Sequence, residues 1–127
     1  MKWTLRRRQT GQTGEQIAAR YLFRKGFRLL EHNYSCDVGE IDLIAEDRGT
    51  VVFVEVKTRK SLVSGTPEEA VDRDKRRQIR RAAQWYLQAW RRWPQRIRFD
   101  IVGIELNDND RVTSIRHTPA AFDAEEQ

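Results

Sequence analysis

The chain has 127 residues, a length that suits one domain built around one hydrophobic core. Apolar residues make up 39% of it and charged residues 34%, which is typical of a globular protein with a highly charged surface and excludes a disordered chain. The single cysteine excludes a disulfide framework and a multi-cysteine zinc site, and the two histidines lie far apart. No apolar run is long enough for a transmembrane helix. These features predict a cytoplasmic protein that does not bind membranes.

The first half of the chain predicts one helix and three strands. Thr13 and Gln16 have the spacing of a capping box, an apolar stripe of helical period follows them, and Gly26 is a natural end for the helix. Alternating and β-branched runs predict the strands, and the turn residues 47–50 join the second and third of them in a β-hairpin. The predicted strands cover residues 27–34, 40–46 and 51–58.

The second half predicts a long helix between two loops, and then two more strands. Residues 59–66 are polar and predict a loop, and Pro67 predicts a short helix that ends near Val71. Asp72 caps a long amphipathic helix, which Pro94 ends. The remaining predictions are strands over 96–106 and 111–117, a turn over 107–110 and a frayed tail from Thr118.

The element order α-β-β-β-α-β-β predicts an α/β (α+β) fold in which helices flank a mixed central sheet. We predict a single domain over residues 13–117. A basic N-terminal tail over residues 1–12 precedes it, and a C-terminal tail over residues 118–127 follows it.

Charge alternates in four blocks along the chain, around a total of +5. The net charge is +7 over residues 1–28, −6 over 29–72, +9 over 73–98 and −5 over 99–127. Dense basic blocks commonly face a polyanion, and an acidic segment between them is where a cation can sit. The charge alone equally allows both basic blocks to be solvent-exposed helix faces.

The hairpin is the most informative feature of the sequence. A tight turn pairs residues whose numbers add up to 97, so Asp42 lies opposite Glu55, and strand alternation puts Glu40 and Lys57 on their face. Two facing carboxylates repel each other, and a hard divalent cation such as Mg²⁺ or Mn²⁺ offsets that repulsion. Such an ion binds few protein carboxylates and completes its shell with water and phosphate, and the Val56 carbonyl is a further predicted oxygen ligand.

Three other charged side chains are predicted near this pair, each with an alternative. The Lys57 ammonium either orients a metal-bound water and a phosphoryl oxygen or simply neutralises Glu55 and Glu40. Glu15 lies at the margin of the first helix's apolar stripe, where it either joins the acidic pair or only benefits from the helix dipole. Lys75 lies on the apolar face of the second helix, where it either reaches an anion or extends to water.

These residues resemble a known group of nucleases. The resemblance rests on Glu15 together with the segments GEIDLIA (residues 39–45) and VFVEVKTR (residues 52–59). With these motifs the chain resembles the PD-(D/E)XK nuclease superfamily, and more narrowly the YraN family of predicted endonucleases, distant relatives of archaeal Holliday-junction resolvases. Ile41 stands where the superfamily name has proline. The resemblance extends over residues 14–100, and the paired segments are more specific than the carboxylate-x-lysine signature alone.

The resemblance implies a restriction-endonuclease-like core and a Mg²⁺- or Mn²⁺-dependent endonuclease that selects DNA structure, such as branched DNA, rather than sequence. It makes Asp42 and Glu55 the metal ligands, beside the Val56 carbonyl that the hairpin geometry already predicts. It gives Lys57 the catalytic lysine role and Glu15 the role of the helix-one acid, and Glu40 becomes a supporting acid. By analogy with resolvases it also allows a homodimer, because a symmetric junction presents two bonds to cut.

The basic blocks would then contact DNA phosphates, which arginine binds well. The predicted nucleic-acid-binding residues are Arg6, Arg7, Arg8, Arg20, Arg24, Lys25, Arg59, Lys75, Arg76, Arg77 and Arg80. Two other classes of function stay open at this point. One is a non-catalytic nucleic-acid-binding or assembly module on the same fold, and the other is a protein-binding role for the charged surfaces.

Overall fold

The computed structural model describes residues 13–60, 65–90, 94 and 96–124, which form two helices and one five-stranded sheet. The elements are α1 (Gly14–Arg24), β1 (Arg28–Cys36), β2 (Gly39–Asp47), β3 (Thr50–Lys60), α2 (Arg73–Ala89), β4 (Arg96–Leu106) and β5 (Val112–Phe122). This confirms the predicted element order and the α+β fold class. The predicted basic tail over residues 1–12 and the predicted loop residues 61–64 lie outside the described residues.

The sheet is mixed, and its strands lie side by side in chain order from β1 to β5. Neighbouring strands are antiparallel except β3 and β4, which are parallel because α2 crosses between them. This crossover places the start of α2 beside the end of β3, where the predicted site lies.

The two helices cover opposite faces of the sheet, because the buried apolar residues separate into two clusters. The cluster on the α2 face includes Ile41, Ile44, Phe53, Ile79, Tyr86 and Phe99. The cluster on the α1 face includes Ala18, Leu22, Leu43, Val54 and Val102. Neither α1 nor α2 is long and apolar enough to cross a membrane.

The helix starts follow the predicted capping signals. Thr13 and Gln16 exchange hydrogen bonds between side chain and backbone, so the capping box is confirmed. The Asp72 side chain accepts a hydrogen bond from the Lys75 backbone N–H at 2.9 Å. Both caps fix the first helical turn, which in each helix carries a residue of the predicted site: Glu15 in α1 and Lys75 in α2.

The prediction of a short helix from Pro67 to Val71 is wrong, because these residues form only a turn. Thr66 and Glu69 do exchange the hydrogen bonds of a capping box, at 2.9 and 3.2 Å. Asp72 then adopts an extended conformation with ψ −179°, so the first turn does not continue into a helix.

The frayed tail predicted from Thr118 is also wrong, since β5 continues to Phe122. The Ala120 N–H donates to the buried carboxylate of Asp100 at 2.9 Å, and the Phe122 ring stacks on Phe99. His117 Nε2 also donates to Asp100, at 2.8 Å. These long-range contacts hold the end of β5 against β4, and the local sequence gives no sign of them.

Gly103 of β4 is predicted to be required for folding, because a Cβ atom there would lie 2.1 Å from Cγ of Pro67. We expect Gly103→Ala to lower the free energy of unfolding by about 1–3 kcal/mol through overpacking, measured by urea denaturation. Adding Pro67→Ala should recover part of this loss. Equal stability of Gly103→Ala and the unmodified protein would contradict the predicted clash.

Candidate active site

The predicted hairpin register is confirmed, because the paired residues of β2 and β3 have numbers that add up to 97. The last pair of this ladder is Leu43 with Val54. Beyond it, Oδ2 of Asp42 accepts a hydrogen bond from the Val56 N–H at 2.7 Å. A side-chain carboxylate therefore takes the position of a backbone acceptor, and Asp42 lies between the two strands beside Glu55.

Strand alternation is interrupted at Asp42. Ile41 and Ile44 both pack on the α2 face while Leu43 packs on the α1 face, whereas strict alternation would put Ile41 with Leu43. Asn33, which lies across from Asp42 in β1, has φ +50° and marks the same irregularity in that strand. This corrects the prediction that Glu40, Asp42 and Ile44 share one face.

Two lysines contact the buried carboxylate of Glu55 from different elements. The Lys57 Nζ of β3 lies 3.5 Å from Glu55 Oε2, and the Lys75 Nζ of α2 lies 3.7 Å from the same oxygen. Lys75 therefore reaches an anion, which was one of its two predicted alternatives. Both amines partly neutralise a carboxylate that is only 4% exposed.

Glu15 approaches Asp42 from α1. Its carboxylate is buried, and the negative charge of Asp42 acts on it. The Asn33 amide, with its nitrogen facing Glu15, donates to Oε1 and Oε2 at 3.0 and 3.2 Å. Asp42 is thus the shared neighbour of Glu15 and Glu55, and the predicted acids come together around it.

Burial and mutual repulsion raise the pKa values of the acids on both sides of Asp42. Burial first, and then the charge of Asp42, raise the pKa of Glu55 from 4.5 to about 8, although Lys75 and Lys57 lower it. Burial, the charge of Asp42 and a hydrogen bond with it, and the charge of Glu40 raise the pKa of Glu15 from 4.5 to about 7. The metal-free site therefore retains protons near neutral pH, and a cation that binds there would displace them.

The donor atoms fit an ion that takes few protein ligands. Within the described residues, no three His, Cys, Asp or Glu side chains form a group that could hold a metal ion. Asp42 and Glu55 supply two carboxylates, and the Val56 carbonyl lies on the β2 side of β3 because an extended residue directs its N–H and C=O the same way. This oxygen set suits Mg²⁺ or Mn²⁺, which keeps positions for water and phosphate.

Several of the predicted phosphate-binding residues are exposed. Arg20 and Arg24 project from α1, and Arg77 projects from α2. Lys25 is exposed but donates to Nδ1 of His117 at 2.8 Å. Three further predicted residues, Arg6, Arg7 and Arg8, lie outside the described residues.

Other predicted phosphate-binding residues are engaged within the protein. Arg76 Nε donates to a backbone carbonyl of the preceding turn at 2.9 Å, and Arg80 Nε donates to the carbonyl of Asp123 at 2.9 Å. Both guanidinium groups lie over the Phe122 ring, so they hold the end of β5 to α2. Arg59 forms an ion pair with Glu105 of β4.

The sequence reasoning missed Asn33, which it placed inside a regular strand. Asparagine adopts positive φ more readily than most residues, and this preference was the available signal. A single residue with φ +50° does not end the strand, so the strand prediction over this segment gave no sign of it.

The raised pKa of Glu55 predicts a stability loss at neutral and higher pH in the absence of metal. The folded protein binds this proton more tightly than the unfolded chain, so the free energy of unfolding should fall as the pH rises from 4.5 to about 8. Glu55→Gln should reduce that fall and be more stable than the unmodified protein at pH 8, in urea titrations with chelator present. The exposed Glu31→Gln is the matched control, and identical pH profiles for all three proteins would contradict the assignment.

Comparison with known proteins gives the family. The pattern of the uncharacterised protein family UPF0102 matches residues 14–104, which include Glu15, Asp42, Glu55, Lys57 and Lys75. A UPF0102 protein of Moorella thermoacetica is 43% identical over 94% of this chain and 99% of its own length. A UPF0102 protein of Desulfosudis oleivorans is 45% identical over 93% of both chains, and one of Syntrophus aciditrophicus is 49% identical over 77% of both. The family level of the resemblance is thereby confirmed: the chain belongs to the UPF0102 family.

Proposed function

We propose that this protein is a Mg²⁺- or Mn²⁺-dependent endonuclease that hydrolyses phosphodiester bonds in DNA on a PD-(D/E)XK-type core. The observation that carries the proposal is the meeting of Asp42 and Glu55 where β2 and β3 separate, with the Lys57 amine 3.5 Å from Glu55. Two acids, a backbone carbonyl and a lysine at one point are the groups needed to bind a metal ion and a phosphate together.

Asp42, Glu55 and the Val56 carbonyl would hold the ion, which when bound polarises a phosphoryl oxygen and lowers the pKa of a coordinated water. The chain prepares this arrangement in advance. The Val56 N–H fixes one oxygen of Asp42, and the rigid centre of the sheet fixes the backbone of Glu55. Little reorganisation is then needed when the ligands engage.

In the proposed site the two lysines act on the attacking water and on the substrate phosphate. Lys57 and Lys75 each lie within 4.0 Å of Glu55 Oε2, so their charge stays at the site when Glu55 takes another partner. In the proposed reaction Lys57 orients the attacking water, and Lys75 donates to a phosphoryl oxygen on which negative charge develops.

The surroundings favour a polyanionic substrate. The first turns of α1 and α2 both border the site, and the positive end of a helix dipole attracts phosphate. Exposed arginines on both helices, Arg20, Arg24 and Arg77, contact the DNA backbone and carry no base specificity. This supports selection for the shape of DNA, such as a branch, rather than for its sequence.

One observation favours a second function, a nucleic-acid-binding module without turnover. Glu55 already has two ammonium partners, which neutralise it without a metal ion. Calorimetric titration with Mn²⁺ separates the two functions. Binding that is lost in Glu55→Gln supports the nuclease, while intact DNA affinity without any Mn²⁺ binding supports the module.

We predict that Asp42→Asn and Glu55→Gln each lower the rate of Mg²⁺- or Mn²⁺-dependent DNA cleavage by more than about a hundredfold. Each variant replaces a charged metal ligand with a neutral amide of nearly the same size. Cleavage of branched, nicked, single-stranded and duplex substrates is the measurement. DNA affinity in the presence of chelator should be nearly unchanged. Unreduced cleavage in both variants would show that the activity arises elsewhere.

DNA affinity should depend steeply on salt, because arginine contacts with phosphates release counterions. For about six contacts we expect roughly a thousandfold loss between 50 and 200 mM salt. The double variant Arg20→Ala with Arg24→Ala should show a shallower dependence, whereas a salt-independent affinity would favour a protein partner over nucleic acid.

A further inference from the structure

Asn33 has a backbone conformation that is rare within a strand. Its neighbours His32 and Tyr34 pair regularly with Leu43 and Ile41 of β2, yet Asn33 itself has φ +50°. Such a value is unfavourable for most side chains, although asparagine tolerates it. The positive φ lies across from the interruption of alternation at Asp42, and the Asn33 side chain faces Glu15.

The Asn33 side chain is directed at a carboxylate that needs a donor. When the amide is turned so that both Asn33 and Glu15 are satisfied, its nitrogen lies 3.0 and 3.2 Å from the two oxygens of Glu15. The other groups that act on Glu15, Asp42 and Glu40, are acids that repel it when charged. The Asn33 amide thus stabilises the carboxylate and fixes its orientation toward Asp42.

This contact is open to solvent on the α1 side. Glu15 and Asn33 both line a cavity of about 300 Å³ between α1 and β1, together with His32 and Leu29. The Glu15 side chain is therefore buried overall, at 8% exposed, yet it borders a cavity.

We propose that Asn33 is a positioning residue whose amide holds Glu15 against Asp42, and thereby orients Asp42 to bind a divalent ion. The inference rests on the proposed function, because it assigns Asn33 a role at that metal site. Asn33 does not touch the ion in this scheme; it acts through Glu15.

The test uses Asn33→Gly, because glycine retains the positive φ without strain and removes only the amide. Asn109→Gly, in the exposed turn between β4 and β5, is the matched control. We expect Asn33→Gly to weaken Mn²⁺ affinity, measured by calorimetry, and to lower kcat by about 10- to 100-fold, with KM for DNA nearly unchanged. Asn33→Asp, which brings a negative charge and no donors, should be at least as impaired.

A double-mutant cycle tests the contact without metal or turnover. Asn33→Gly and Glu15→Ala, alone and combined, should be non-additive in urea denaturation with chelator, because removing either partner removes the same interaction. Additive effects, or Mn²⁺ affinity and kcat in Asn33→Gly equal to those of the Asn109→Gly control, would overturn this inference alone. An unmodified protein that binds no Mn²⁺ would overturn the proposed function, and the role of Asn33 in metal binding with it.

Discussion

The hydrogen bond from the Val56 N–H to the Asp42 carboxylate is the interaction on which the candidate site depends. It lies just beyond the Leu43–Val54 pair, where the β2–β3 ladder ends, and it holds a negative charge between two strands of the sheet. Glu55 follows in β3 and Glu15 enters from α1, so both become neighbours of that charge. The raised pKa values of these two acids are a direct consequence, because burial and like charge both disfavour ionisation.

This arrangement costs stability unless its negative charge is neutralised. Buried carboxylates placed side by side are unfavourable unless protons, cationic side chains or a metal ion neutralise them. The protein supplies part of the compensation through Lys57 and Lys75, which approach one oxygen of Glu55 from β3 and α2. The parallel β3–α2–β4 crossover is what brings the second lysine there, so the topology of the sheet contributes directly to the charge balance of the site.

The sequence contained much of this site, because its central part is local. A tight turn fixes the register of a hairpin, so the proximity of Asp42 and Glu55 followed from counting residues. The capped helix starts were local in the same way. The rest depended on contacts between distant segments, such as Asn33 of β1 facing Glu15 of α1 and the end of β5 bonded to Asp100 of β4. Secondary-structure propensity and hydrophobic periodicity depend on residues that are close in sequence, so they carry little information about such contacts.

The central claim is that Asp42 and Glu55 form one divalent-cation site. The most direct measurement is anomalous X-ray diffraction from crystals of the protein grown with Mn²⁺, at a wavelength where manganese scatters anomalously. The account predicts a strong peak between the two carboxylates, within coordination distance of both and of the Val56 carbonyl. Anomalous density only at other positions, or none at saturating Mn²⁺, would contradict it.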